Sequence, residues 1–191
     1  MKEFLKRIKY TFLVCILLPH ILFYYITKSR PSIDEDINVI SEKYNILYPR
    51  IVALAYILVN NKYYRNIFYK RIGRYSLFCS WYLPKAHDFF PCDKIGGGVY
   101  PAHPYATILN AKSIGKNFSF RQCTTIGNKR DGENTNGPII GDNVYVGANV
   151  CIIGDIKIGS NVIIGAGSVV VKDIPDNSVV VGNPSRIIKQ L

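Results

Sequence analysis

Past residue 94 the chain repeats at every sixth position. Large apolar residues stand at Ile108, Ile114, Phe120 and Ile126, and after a break at Ile140, Val146, Ile152, Ile158, Ile164 and Val170. Glycine follows directly at Gly115, Gly127, Gly141, Gly147, Gly159 and Gly165, and the third place after the apolar residue holds Asn143, Asn149, Asp155, Asn161, Gly167 and Asp173. Those last types tolerate a left-handed backbone, as a sharp corner requires. A second apolar column runs through Val144, Val150, Ile156 and Val162. A period of six matches neither a helix nor strand alternation. An amphipathic helix would carry Gly and Asn inside it at a few tenths to about 1 kcal/mol each. The pattern predicts short strands separated by corners, one bulky side chain pointing inward per side, and stacked coils that satisfy one another's backbone hydrogen bonds. Ile140 lies 14 positions after Ile126, two more than two repeats. The intervening polar segment, 128–138, predicts a loop extruded from a rigid scaffold, a common place for function.

Residues 1–85 follow a different pattern and are expected to be helical. The uncharged run Tyr10 to Thr27 contains Pro19, His20 and three Tyr. It admits three readings: a buried or trimer-packing helix, an interfacial membrane contact, or a short span. Arg30-Pro31-Ser32 ends that element, and Ser32 followed by Glu35 has the spacing of a capping box, so the next helix is expected to start at Ser32. Ile51 to Val59 reads as a buried helix. From Tyr63 to Tyr82 aromatic and basic residues interleave: Tyr63, Tyr64, Arg65, Phe68, Tyr69, Lys70, Arg71, Arg74, Tyr75, Phe78 and Trp81. Such a stripe lies on a lipid headgroup layer or grips a lipid-linked acceptor, or else packs its rings inward and leaves its Arg solvated.

Composition narrows the class. The 191 residues give room for one compact domain of ordinary size plus a short extension, and 48% hydrophobic with 19% charged residues excludes a disordered chain. Five Cys without a C-x-x-C pair point away from a disulfide framework and towards a reducing cytoplasm. No small-residue cleavage site follows the apolar stretch, so a signal peptide fits poorly. The net charge of +11 is uneven: residues 1–85 hold 14 Lys/Arg against 5 Asp/Glu, whereas 86–191 hold 10 against 8. An excess of +9 in one half predicts an anionic partner there, such as a membrane surface, rather than nucleic acid along the whole chain.

The repeat of residues 94–191 resembles the left-handed parallel β-helix of the hexapeptide-repeat acyltransferases. The fold expected is therefore mainly β, a left-handed solenoid over 86–191 preceded by an α-helical region over 1–85. The segment from Asp88 to His103 resembles the serine acetyltransferase branch, where an Asp precedes the catalytic His by this interval. Gly165 to Pro175 followed by Gly182-Asn183-Pro184-Ser185-Arg186 is similar to the ending of many acetyl-CoA-dependent members.

The resemblance implies O-acetyl transfer from acetyl-CoA in a homotrimer with sites between subunits. A hydroxyl needs a base as it attacks a thioester, and an imidazole suits that task when a carboxylate fixes its tautomer. Of three His, His20 lies in the apolar segment and His87 precedes the repeat, leaving His103 as the base. Asp88 is its partner by resemblance. Ala148 and Ala166, 18 residues apart, match cofactor positions where a small side chain lets the pantetheine arm reach the backbone, and Lys172 and Arg186 match basic positions near the CoA phosphates. No metal is expected, because the carbonic anhydrases built on this fold need three imidazoles and the repeat has one.

Two departures concern the acceptor. The serine enzymes resembled here carry a His just before the Pro that ends the loop, where this chain has Gly137 before Pro138, and its N-terminal part is shorter, basic and aromatic. Both favour a sugar hydroxyl of a surface polysaccharide or its lipid-linked precursor, as in the colanic-acid and capsule acetyltransferases also resembled. Serine O-acetylation for cysteine synthesis is the alternative reading, and a noncatalytic trimeric scaffold on membranes through residues 1–82 is a third. The location expected is the cytoplasm, peripheral at the inner membrane.

Overall fold

The computed structural model describes residues 2–86, 89–90, 92–129 and 137–191, and the chain divides into two compact units, Met1–Ala86 and His87–Leu191.

The first unit is helical: α1 (Lys2–Ile16), α2 (Leu18–Ile26), α3 (Arg30–Tyr44), α4 (Arg50–Asn60), α5 (Lys62–Ile72) and α6 (Ser76–Ser80). Pro19 sits in the first turn of α2 and the chain bends by 73° between the paired stretches Ile8–Ile16 and Leu18–Ile26. Among the described residues no single helix is long and apolar enough to cross a membrane. The expected start at Ser32 is corrected, because α3 begins two residues earlier. Pro31 occupies its first turn, where a missing N–H costs nothing, and the Ile33 N–H donates to the Ser29 carbonyl at 3.1 Å. Asn45, at φ 52°, closes the helix in the left-handed conformation.

The core of this unit collects Tyr24, Ile33, Leu54, Ile57, Tyr64 and Phe68. The aromatic and basic stripe divides. Tyr64, Phe68 and Tyr69 are buried, whereas Phe78 and Trp81 are exposed. Nor is every Arg solvated. Arg71 is buried and grips the buried Asp36 with two prongs, Nε to Oδ2 at 2.7 Å and Nη2 to Oδ1 at 3.0 Å, while the Tyr64 hydroxyl donates to Oδ2 at 3.2 Å. His20 is also buried. The Tyr69 hydroxyl donates to the Leu83 carbonyl at 2.5 Å, so the His20 Nε2, 3.1 Å away, serves as donor to Tyr69, and the buried Nδ1 lacks a partner among the described residues. Burial lowers the imidazole to about 4, and the charge of Arg65 pushes the same way.

The second unit is a coil with three flat faces. The first face holds β1 (Phe89–Phe90), β3 (Thr107–Leu109), β6 (Thr125–Gly127), β9 (Cys151–Ile153) and β12 (Val169–Val170) side by side in that order. The second holds β4 (Ser113–Ile114), β7 (Ile139–Ile140) and β10 (Lys157–Ile158). The third holds β2 (Tyr100–Ala102), β5 (Ser119–Arg121), β8 (Tyr145–Val146), β11 (Ile163–Ile164) and β13 (Ser178–Val181), and β14 (Arg186–Gln190) closes its edge antiparallel to β13. All other pairs are parallel. Tyr145 lies against Ile163, Ile139 against Lys157 and Cys151 against Val169, each 18 residues on, so three six-residue sides make one coil. Phe120, Ile126, Ile140, Val146, Ile152, Ile158, Ile164 and Val170 all point inward and are buried, as are Val144, Val150, Ile156 and Val162 of the second column.

Corners differ in kind. Between the second and third faces, Asn117, Asn143, Asn161 and Asn177 all stand at φ of 55–57°. Their amides form a ladder in which each Nδ2 donates to the next Oδ1, at 2.8, 3.0 and 2.9 Å. The coils touch here: a Cβ on Gly115 would lie 2.6 Å from the Gly141 backbone, and one on Gly141 would lie 2.8 Å from that of Gly159. Between the third and first faces, Cys123, Asn149 and Gly167 are left-handed. Between the first and second faces the expectation fails. Asp155 and Asp173 keep negative φ, and Gly154 takes φ 118° instead. The Asp173 carboxylate accepts from the Lys157 N–H at 2.9 Å, a role that asks for its side chain and not for an unusual backbone.

Candidate active site

The corner after β2 is longer than the six-residue rule allows. Pro101 lies in register with Phe120, and Leu109 with Ile126. The step from Phe120 to Ile126 is six residues, whereas Pro101 to Leu109 is eight, so the corner between β2 and β3 holds two additional residues. The register corrects one inward position: Leu109 is buried and Ile108 is 45% exposed, because the next step, from Leu109 to the inward Ile114, is five residues and not six, which sets the strand one residue off the lattice and exchanges its two faces.

His103 begins this corner. Its φ is 55° and that of Ala106 is 49°, both left-handed. His is among the non-glycine types enriched there, and such backbones persist where surrounding structure enforces them. Buried Pro101 and Pro104 flank the exposed His103. The Tyr105 N–H donates to the His103 carbonyl at 2.8 Å, and the Cys123 N–H of the next coil donates to the Tyr105 carbonyl at 2.8 Å. The Thr107 hydroxyl donates to that same Tyr105 carbonyl at 3.3 Å. Backbone bonds and proline rings thus hold the base of the imidazole while the ring meets solvent.

The coils stack other predicted residues on the same ridge. Next come Gln122 and Cys123, then Gly147-Ala148-Asn149, then Gly165-Ala166-Gly167. The Asn149 N–H donates to the Gln122 carbonyl at 3.0 Å and the Gly167 N–H to the Ala148 carbonyl at 2.8 Å. With parallel strands about 4.8 Å apart, Ala148 lies about 10 Å and Ala166 about 14 Å along the axis from His103. Ala148 is half-buried and Ala166 exposed, and a Cβ on Gly147 would lie 2.6 Å from the Ala166 nitrogen. This stretch is a track of exposed backbone edged by methyl groups. Arg186, exposed, stands opposite Val181 just past the end of the same ridge. Lys172 is exposed at the corner between the first and second faces, away from the ridge. Asp88 lies outside the described residues; Phe89 and Phe90, which follow it, pair with Thr107 and Ile108.

Arg121 escapes a reading based on the repeat. It pairs with Ala102, beside His103, and its Nε donates to the Tyr145 hydroxyl at 2.7 Å, which aims an exposed guanidinium one coil away from the imidazole. The available signal was the eight-residue step itself, hidden because Ile108 falls on the apolar lattice by chance. Of the loop, residues 130–136 lie outside the described residues. Its feet are tied: the Gly154 N–H donates to the Gly127 carbonyl at 3.0 Å and the Lys112 N–H to that of Pro138 at 2.9 Å. A Cβ on Gly137 would lie 3.0 Å from the Asn110 carbonyl oxygen, so a side chain there would require its neighbours to give. Among the described residues no group of three or more His, Cys, Asp or Glu could hold a metal ion.

Residues 137–172 match the model described as bacterial transferase hexapeptide (six repeats). A protein of Escherichia coli K12 named as a colanic acid biosynthesis acetyltransferase, WcaB, is 48% identical over 86 residues, covering 44% of this chain and 52% of its own. Serine acetyltransferase 3, mitochondrial, of Arabidopsis thaliana is 41% identical over 104 residues, covering 54% of this chain and 27% of its own. The chain thus spans about half the length of the first and about a quarter of the second. The crystal structure of Neisseria gonorrhoeae serine acetyltransferase in complex with serine is 28% identical with a TM-score of 0.65, covering 82% of this chain and 68% of that one. A six-residue apolar lattice, coils closing every 18 residues and these likenesses agree: the repeat unit of this chain is similar to the hexapeptide-repeat transferases, and residues 137–172 carry their repeat.

Proposed function

We propose that this protein is an acetyl-CoA-dependent O-acetyltransferase that acetylates a sugar hydroxyl of a surface polysaccharide or its precursor. The carrying observation is the enlarged corner. It presents an exposed imidazole on a strained, hydrogen-bonded backbone at the head of a track of small side chains. Acetyl-CoA supplies an activated acyl group. In the proposed reaction His103 takes the proton of the acceptor hydroxyl as it attacks, and later returns a proton to the departing thiolate. Asp88 orients the ring in this proposal, by the family resemblance. The backbone beside Ala148 and Ala166 receives the pantetheine arm, and Lys172 and Arg186 meet the phosphates, each from its own corner or from a neighbouring copy of a homotrimer. The coil winds left-handed in this reading, and the protein works in the cytoplasm, peripheral to the inner membrane.

The sugar reading rests on the likeness to WcaB and on Gly137, where a histidine's Cβ would crowd Asn110. Serine O-acetylation is the second reading, carried by the likeness to a structure solved with serine. The test is CoA release from acetyl-CoA with L-serine, sugars, nucleotide sugars and lipid-linked glycans. We expect turnover with a glycan, and a fall of about 10²–10⁴ in kcat for His103→Asn, a residue that accepts the same φ without supplying a base. Turnover with serine alone would replace the sugar reading. Turnover unchanged in His103→Asn would remove the base assignment.

A further inference from the structure

The helical unit wears one apolar face outward. On α2, His20, Ile21 and Tyr24 are buried, as is Leu17 just before it, while Leu18, Leu22 and Tyr25, at spacings of four and three, are each about half exposed or more. On α6 the same is true of Leu77 and Phe78, and just beyond its end Trp81 is 89% exposed. α6 flanks α2 through Phe23, which stacks on Tyr75 just before α6 at 4.7 Å and lies 6.2 Å from Phe78, and the exposed Ile26 continues the apolar surface around α2 between Leu22 and Phe23. Exposed apolar patches of this kind mark interaction sites.

Charge identifies the occupant. The rim is cationic, with Arg30 over the Tyr25 ring at 4.8 Å and Arg74 over the Tyr75 ring at 5.3 Å, and Lys28 and Lys85 follow α2 and α6 in the chain. No Asp or Glu occurs from Phe4 to Ile33 or from Lys43 to Ala86. Two copies meeting through this face would bring like charges together with no acidic residue in either segment to offset them. An anionic lipid surface offers the complement: acyl chains for Leu22, Phe78 and Trp81, and headgroup phosphates for the Arg and Lys rim. A Trp at such a boundary suits its apolar body and polar N–H.

We infer that the face made by α2, α6 and Trp81 docks in the plane of an anionic membrane, as an interfacial anchor rather than a span. The inference uses no residue of the repeat unit and stands apart from the acetyl-transfer reading. Trp81 is the sole Trp of the chain and reports directly on the face. The full chain is titrated with vesicles of phosphatidylcholine alone and of equal parts phosphatidylcholine and phosphatidylglycerol. Trp81 emission should shift to the blue, and be quenched by brominated acyl chains, with the anionic vesicles and far less with the neutral ones. Arg74→Glu with Lys85→Glu should weaken this partition by about 30-fold or more at low salt. Phe78→Ser with Leu77→Ser should abolish the shift while the helical circular dichroism persists, since both side chains are already in solvent. His103→Asn should bind as the unaltered chain does, which separates failure of this inference from failure of the enzymatic one. A blue shift that grows with protein concentration without lipid would assign the face to a second copy and overturn the inference. So would vesicle binding indifferent to both pairs of substitutions, or no binding to either vesicle.

Discussion

Replacing Asn161 tests the corner physics at one residue. Its φ is 56°, its Oδ1 accepts from Asn143 at 3.0 Å, and its Nδ2 donates to Asn177 at 2.9 Å. Asn161→Ala removes both bonds, each about 0.5–1 kcal/mol at an exposed site, and asks a Cβ residue without local compensation to hold a left-handed backbone, about 1 kcal/mol more. The total is about 2–3 kcal/mol. Asn161→Gly loses the same bonds and escapes the strain, but its freer unfolded chain costs about 0.5 kcal/mol. Glycine should therefore be the milder substitution, the reverse of its usual standing against alanine. Asn110 is the control. Its φ is negative, so alanine there should be at least as stable as glycine. The assay is urea unfolding followed by the far-ultraviolet β signal at fixed protein concentration, comparing midpoints at constant slope. Alanine matching or exceeding glycine at Asn161, or the same order at both sites, would refute the argument.

Two further predictions concern the helical unit. Asp36→Asn leaves the buried Arg71 guanidinium without its carboxylate and should cost about 3–5 kcal/mol, whereas replacing both partners by Leu and Met should cost less, read as shifts in urea midpoint. For His20 the folded value of about 4 lies below the ordinary 6.5, so the unfolded chain binds more protons between those limits. Its contribution is complete above about pH 6.5 and is lost as pH falls towards 4. Between pH 7.5 and 5.5 the loss is about 1.3 kcal/mol, and His20→Phe should flatten that part of the stability profile; an unaltered slope would contradict the neutral buried ring.

The sequence by itself determined the repeat and most of its interior. One large residue per side and one left-handed residue at many corners are local requirements, so Phe120, Ile152 and Ile164 declared themselves inward and Asn143, Asn149 and Asn161 declared themselves corners. His103 could be singled out because the repeat contains no other His. The tertiary structure decided what depends on neighbours. Leu109 replaces Ile108 in the core because register with Ile126, and not spacing along the chain, sets which side chain faces in. Asp155 and Asp173 share their place in the repeat with Asn143 and Asn149 but meet a different corner. In the helical unit, period alone cannot say which side of a helix finds a partner. Arg71 went inward because Asp36 and Tyr64 wait there, and Trp81 stayed out because nothing in its unit covers it. A solenoid writes its contacts at a fixed separation in the chain, whereas a helical packing draws them from distant segments, and only the folded molecule brings those together.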